Sequence, residues 1–281
     1  MDSSRLEVLW EAAGLPALDL PAELAALYGG TLGFHRPRVV ANFVESLDGV
    51  VAIPSLSGSN KLIAGGSASD RFLMGLLRAC ADFLIVGSGT LAASPRGRWT
   101  AEQAFPPAAG SFAELRRGLG KAPEPVVAVL TRSGEVDPAH PVFAAGGQVL
   151  TTDRGAPRLA GRLPEAQIVS VGERLDPGAA VASLRARGGS LILSEGGPTA
   201  IAPFLEAGLV DELFLTVSPL LVGRIDGDPR LSLVEGSDLV PGGPPGAGLL
   251  GVRRNADHLF LRYELDTTLR TSRSATVPAS T

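Results

Sequence analysis

The chain has 281 residues, 45% of them hydrophobic, enough to bury a core in one large domain or two small ones. Its 25 basic and 29 acidic residues are interspersed and leave a net charge of -4, which argues against a nucleic-acid footprint or a polybasic membrane anchor. Cys80 is the single cysteine, which excludes an internal disulfide and any multi-cysteine zinc or iron-sulfur site.

A lone cysteine fits a reducing cytoplasm. The segment Met1-Asp2-Ser3-Ser4-Arg5-Leu6-Glu7 has neither the basic region nor the apolar stretch of a signal peptide. No apolar run approaches the roughly 20 residues that span a bilayer. A cytoplasmic protein with no membrane association is expected.

Residues 1–36 carry a short helical pattern, with Leu6, Leu9 and Trp10 on one side and Leu24, Ala25 and Leu27 in a second turn or two. They read as a peripheral N-terminal arm. From Arg38 the chain changes character. Val39 to Val44, Phe83 to Val86, Val126 to Leu130, Val149 to Thr151, Ile168 to Val171 and Leu191 to Leu193 are short β-branched runs at wide spacing, and each predicts a strand. Helical patterns lie between several of them, over Ala68–Ala81, Pro177–Arg187 and Pro198–Ala207, so a mainly parallel α/β sheet flanked by helices is predicted. Leu213 to Val222 and His258 to Tyr263 predict an antiparallel C-terminal edge pair around the loop that starts at Pro241. The body spans 37–266, and 267–281, rich in Ser, Thr and Ala, is expected to be a disordered tail.

The chemistry gathers where strands end. In Leu193-Ser194-Glu195-Gly196-Gly197-Pro198-Thr199-Ala200 a buried strand gives way to a helix through two glycines. Glycines there let a ligand approach the backbone, and free N–H groups in the first helical turn favour phosphate. A tight turn with proline opening the helix is the plainer alternative. Gly87-Ser88-Gly89-Thr90-Leu91-Ala92 also follows a strand and formally matches a dinucleotide fingerprint, but Pro95 and Gly97 interrupt the helix that fingerprint requires. Its amides and the Thr90 hydroxyl can still hold a phosphate or ribose.

Ser46-Leu47-Asp48-Gly49 reads first as a turn. Arg78 lies almost opposite the stripe formed by Phe72, Leu73, Leu76, Leu77 and Cys80, which puts it off the core, either solvated beside Asp82 or holding a substrate anion. Thr131-Arg132-Ser133-Gly134 closes another strand, where hydroxyls and an arginine can grip the 2′-phosphate that distinguishes NADP from NAD; a polar turn is equally compatible. His35, His140 and His258 form neither a metal pair nor a triad, and no metal is expected.

Taken together, Ser46-Leu47-Asp48-Gly49, Leu77-Arg78-Ala79 with Asp82, Val86-Gly87-Ser88-Gly89-Thr90, Glu195-Gly196-Gly197-Pro198-Thr199 and Ala207-Gly208-Leu209-Val210-Asp211-Glu212-Leu213 resemble, in order and spacing, the riboflavin-biosynthesis pyrimidine reductase family. That family is the reductase half of the bacterial bifunctional deaminase-reductase and is related in fold to dihydrofolate reductase. The resemblance spans residues 38 to 265 and implies a dihydrofolate-reductase-like fold, NADPH as hydride donor, a homodimer, and reduction of the ribosyl group of 5-amino-6-(5-phosphoribosylamino)uracil to ribityl. It also implies that Gly87, Gly89, Thr90, Thr131, Arg132 and Gly196 through Ala200 (Gly197, Pro198 and Thr199 between them) contact NADPH. Ser59, Arg78 and Glu195 would face the phosphorylated pyrimidine, with Glu195 and Asp48 as the catalytic carboxylates. The deaminase half, which needs a zinc site, is missing.

Two departures stand out. Ala92-Ala93-Ser94-Pro95 replaces the family's aspartate-aspartate-proline, and Arg96-Gly97-Arg98-Trp99 replaces its substrate-contacting stretch. A reductase of dihydrofolate, a pterin or another carbonyl compound on the same fold therefore remains an alternative, as does a nucleotide-binding module without turnover.

Overall fold

Strands joined by helical crossovers can lie side by side only if each helix carries the chain back to the same edge, which makes the sheet parallel. The computed structural model, which describes residues 4–240 and 243–267, bears this out. The chain order is β1 (Glu7–Glu11), α1 (Ala22–Tyr28), β2 (Arg38–Glu45), α2 (Ser59–Ile63), α3 (Ala68–Cys80), β3 (Phe83–Gly87), α4 (Ser88–Ala92), α5 (Ala101–Ala104), α6 (Ala109–Gly118), β4 (Val126–Leu130), α7 (Pro141–Ala144) and β5 (Gln148–Thr151). It continues with β6 (Ile168–Ser170), α8 (Pro177–Ala186), β7 (Leu191–Ser194), α9 (Pro198–Glu206), β8 (Glu212–Val217), β9 (Ala247–Asn255) and β10 (His258–Leu265).

One ten-stranded sheet runs β1-β9-β10-β8-β2-β7-β3-β4-β5-β6. The strands from β8 to β6 in that order pair in parallel, and β10, β9 and β1 extend the β8 edge antiparallel. Side chains alternate between two apolar layers. On β3, Leu84 and Val86 join the layer of α3 and α6, with Phe72, Leu76 and Phe112, whereas Phe83 and Ile85 join that of α8 and α9, with Leu184, Ile201 and Phe204. Among the described residues no helix is long and apolar enough to cross a membrane.

Three expectations change. Leu6 to Trp10 do not begin a helix: Glu7–Glu11 is an edge strand paired with β9, and Leu6, Leu24, Leu27, Leu32 and Phe34 are buried in the α3 layer, so this segment completes the core. The C-terminal edge holds a third strand, β9, joined to β10 by a two-residue turn at Ala256 and Asp257. Gly248, Gly251 and Arg253 break its apolar alternation. Arg253 is buried because its guanidinium lies 3.8 Å from the Tyr28 ring, donates to the Tyr28 carbonyl at 2.9 Å and meets Glu11 at 2.5 Å. The strand begun near Leu213 ends at Val217, not Val222. The expected tail, from 268 on, lies outside the described residues.

The joint between α3 and β3 is a polar clasp. Arg116 Nη1 donates to the carbonyls of Arg78, Ala79 and Ala81 at 3.1, 3.1 and 2.9 Å, satisfying helix-end acceptors and placing a cation at the negative end of the dipole. Asp82 does not pair with Arg78. Its carboxylate accepts the Ser190 and Leu191 N–H groups at 3.0 and 2.8 Å and binds Lys121. Burial alone would raise the Asp82 pKa, but Lys121 and these donors outweigh it and lower it. The stabilisation is therefore present above the ordinary carboxylate pKa and lost as pH falls through the depressed value. Asp82→Asn should cost about 1–2 kcal/mol in urea unfolding at neutral pH, and the gap from wild type should close in the acid range.

Candidate active site

The sheet opens a crevice where one strand stops early. β7 ends at Ser194, level with Ala41 of β2 and Ile85 of β3, while β2 continues to Glu45 and β3 to Gly87. Beyond Ser194 the chain lies in a notch between two longer neighbours. Chain order also reverses here, because β7 returns between β2 and β3, and such switch points are where open α/β sheets bind ligands.

The two glycine segments meet in this notch. Ala200 is 2.9 Å from where a Cβ on Gly196 would stand, so that turn could not close as tightly around a larger residue, and 3.6 Å from one on Gly87, an ordinary contact that brings the two segments together. A Cβ on Gly89 or Gly197 would meet nothing within 4 Å, so both face open space. α4 starts at Ser88, directly after its glycine, though it is only five residues long. Neither α4, capped by Gly87, nor α9, capped by Gly197, has a side-chain cap. Two helix starts without side-chain caps thus stand at the ends of neighbouring strands, an arrangement that suits a diphosphate.

Arg78 and Glu195 are brought together at its floor. Glu195 leaves β7 with its N–H bonded to the Ile85 carbonyl at 3.0 Å. Arg78 Nε and Nη2 donate to its two carboxylate oxygens at 2.9 and 2.6 Å, and Nη1 donates to the Thr100 carbonyl at 3.2 Å. Arg78 is only 7% exposed, so the expected solvated position off the core is corrected. The helical wheel assumed that α3 has one buried stripe; the segment around Thr100 covers a second side, where a guanidinium fork matches a carboxylate.

Asp48 stands apart from this pair. Its carboxylate accepts the Ser46 hydroxyl at 2.6 Å and the Val222 and Gly223 N–H groups at 3.1 and 2.7 Å, which lower its pKa to about 2. It stays ionised at physiological pH and ties the loop after β2 to the loop after β8. The Ser59 hydroxyl oxygen accepts the Ile53 N–H at 3.1 Å at the start of α2. Thr131 is buried at the end of β4 and Arg132 is exposed beside it. The Thr152 hydroxyl, after β5, donates to the Arg132 carbonyl at 2.9 Å and steadies that loop.

Sequence reasoning passed over Thr100. Its side chain accepts the Gln103 N–H at 3.1 Å and starts α5, and the Gln103 side chain reaches back to the Arg98 and Trp99 N–H groups at 2.8 and 3.1 Å. The spacing Thr100-x-x-Gln103 is a capping-box signal that was available in the sequence. That staple holds the unusual Arg96-Gly97-Arg98-Trp99 stretch, with Trp99 at φ +53°, over Arg78.

A sequence profile of the RibD C-terminal domain matches residues 37–238. The 2,5-diamino-6-ribosylamino-4(3H)-pyrimidinone 5′-phosphate reductase of Archaeoglobus fulgidus is 28% identical over 195 residues, covering 68% of this chain and 84% of that one. The structure of a pyrimidine reductase-like protein from Corynebacterium diphtheriae shares the fold with TM-score 0.63 at 22% identity, over 82% of this chain and 92% of that one. The deaminase/5-amino-6-(5-phosphoribosylamino)uracil reductase of Thermotoga maritima gives TM-score 0.57 at 20% identity, over 82% of this chain but 57% of its own length. With the profile spanning most of the sheet, the chain belongs to the RibD C-terminal domain family.

Proposed function

We propose that this chain uses NADPH to reduce the ribosyl group of 5-amino-6-(5-phosphoribosylamino)uracil to ribityl, the step that supplies a riboflavin pathway. The observation that carries this is the pair of uncapped helix starts at the ends of β3 and β7, opening on a crevice floored by Arg78 and Glu195. Family membership points the same way, and the Archaeoglobus relative is named for reducing the same ribosylamino 5′-phosphate group on a 2,5-diaminopyrimidinone, a ring that keeps its 2-amino group.

The amides around Gly87, Gly89 and Thr90 and those of Gly196, Gly197 and Thr199 would hold the diphosphate, since Pro198 has no N–H and the Ala200 N–H donates to the Gly197 carbonyl at 2.9 Å, and Thr131 with Arg132 would hold the 2′-phosphate. When bound, the cofactor supplies a hydride. C1′ of the opened sugar, as a C=N carbon, accepts it while the nitrogen takes a proton, so NADPH, one proton and the ribosyl compound give NADP+ and the ribityl compound. Glu195 orients the sugar hydroxyls and offsets positive charge at the nitrogen, and Arg78 is its positioning residue. Asp48, always ionised, contributes charge but cannot deliver the proton. With three of its donors engaged by Glu195 and Thr100, Arg78 serves to hold Glu195 and not to grip the 5′-phosphate. The NADPH pool places such an enzyme in the cytoplasm.

A homodimer fits the uncovered side of the C-terminal strands. Trp10, Val252, Leu261 and Leu215 align across β1, β9, β10 and β8 on one face, and Trp10 is 47% exposed. An apolar row that runs out to the half-exposed Trp10 at the sheet edge is the kind of surface a second copy buries.

The direct test is anaerobic NADPH oxidation with the deaminated phosphoribosylaminouracil beside dihydrofolate; turnover on dihydrofolate alone would overturn the assignment. Glu195→Gln should lower kcat about tenfold to a hundredfold with little change in NADPH affinity, and Arg78→Lys, which cannot form the fork, should follow it in milder degree. Arg132→Ala should cut kcat/KM for NADPH about tenfold or more while sparing NADH; equal losses would remove Arg132 from the 2′-phosphate site. Trp10→Glu should halve the mass seen by light scattering without unfolding the chain, and a monomeric wild type would refute the dimer.

A further inference from the structure

Among the described residues only Trp99 and Ala256 combine a side chain with left-handed backbone. Ala256 lies in the two-residue turn between β9 and β10, where a tight hairpin calls for that conformation. Trp99 lies outside any turn, and for a bulky residue a φ of +53° is strained. Strain of this kind persists only where the surroundings over-determine it, and it gathers at functional sites.

Three contacts hold Trp99 in place. Its N–H donates to the Gln103 side-chain oxygen at 3.1 Å. Its ring lies so close to Gly97 that a Cβ there would stand 2.7 Å away, so only glycine fits against it. The His140 imidazole meets the same ring with centroids 6.0 Å apart and planes at 38°. His140 is itself fixed: Nδ1 accepts the Val142 N–H at 3.3 Å at the start of α7, which leaves the proton on Nε2 to donate to the Ser94 carbonyl at 3.0 Å. Both rings are buried, with Trp99 6% and His140 5% exposed. His140, from beyond β4, thus holds the segment between α4 and α5 at Ser94 by a hydrogen bond and at Trp99 by its ring.

What the strained residue delivers is the carbonyl that follows it. Thr100 O receives Arg78 Nη1 at 3.2 Å and the Ala104 N–H at 3.3 Å. Returning Trp99 to right-handed backbone would turn its φ by about 110° and swing that carbonyl off Arg78. A fork alone leaves Arg78 and Glu195 free to move together on two flexible stems. The contact to Nη1 pins the pair to the segment above it.

We propose that Trp99, braced by His140 and Gly97, is a positioning residue for the reduction: it aims the Thr100 carbonyl at Arg78 and so locks Glu195 at the angle the sugar needs. This rests on the role given to Glu195 above. It also makes one device of the unusual Arg96-Gly97-Arg98-Trp99 stretch, in which the missing side chain at Gly97 makes room for the ring at Trp99.

The test is a double-mutant cycle of Trp99→Ala with Glu195→Gln, read as kcat and KM on 5-amino-6-(5-phosphoribosylamino)uracil, with NADPH affinity followed by the nucleotide's own fluorescence. Trp99→Ala alone should lower kcat about tenfold with NADPH affinity within about threefold, and Trp99→Phe, which keeps a ring against Gly97 and His140, should recover most of the loss. In the Glu195→Gln background Trp99→Ala should cost less than about a further twofold, because a residue that acts through Glu195 then has nothing left to position. His140→Ala should repeat the pattern in milder degree. An unchanged kcat in Trp99→Ala, or an equal loss in both backgrounds as a merely structural role predicts, overturns the proposal and leaves the enzyme assignment intact. If Trp99→Ala does not fold, Gly97→Ala, which pushes a methyl into the ring, takes its place in the cycle with the same two readings. A wild type that reduces no ribosylaminopyrimidine refutes the parent assignment and the positioning role with it.

Discussion

The ion pair between Arg78 and Glu195 joins the parts of the molecule on which the crevice depends. One partner comes from the last turn of α3 and the other from the residue at which β7 gives up pairing, and each is largely out of water. Desolvating both is costly, and the cost is recovered only because the fork is two-pronged and the Thr100 carbonyl takes a further donor. Removing either partner would strand the other as a buried charge, a penalty of about 3–5 kcal/mol. The pair thus fixes how the helix, the strand exit and the segment over Arg78 sit against one another.

Around this fixed point the crevice is built from backbone more than from side chains. Strand ends at staggered heights, Gly196 close against Ala200 and helix starts without side-chain caps shape it. Such a surface would suit a diphosphate through backbone dipoles and needs no strongly basic chain, in keeping with the net charge of -4. The groups of definite charge are few and each is held: Glu195 by Arg78, and Asp48 by Ser46 and two loop amides.

The N-terminal segment and the C-terminal hairpin depend on each other. Among the described residues β1 pairs only with β9, and the buried Arg253 of β9 is received by Tyr28 and Glu11, both from the N-terminal segment. Arg262 on β10 is held similarly, by Glu212 at 2.8 Å and the Gly33 carbonyl at 2.6 Å. Buried arginines that demand partners from distant segments set the register of this edge more strictly than apolar contacts alone would.

The parallel strands, the helices α3, α8 and α9 between them and the glycine junctions were legible because their signals are local: β-branched runs, helical periodicity, and glycine or proline at a strand's end. Gly196 and Thr90 could be singled out for the same reason, whereas Glu195 was implied by the resemblance, and α6, among residues that read as loop, was not foreseen. What depended on partners far away in the chain was not legible. Glu7–Glu11 has too few residues to show whether it is strand or helix until β9 lies beside it, and β9 looks too polar to be a strand until Tyr28 and Glu11 are near. Arg78 looked solvated because a helical wheel cannot show that Thr100 and Glu195, 22 and 117 residues on, close over it. The sequence by itself determined the parallel core strands, several helices between them and the glycine junctions, since these follow from neighbours along the chain. Which of those residues meet, and which carboxylate is paired, ionised or buried, was decided by the tertiary structure, because burial and electrostatics act through space.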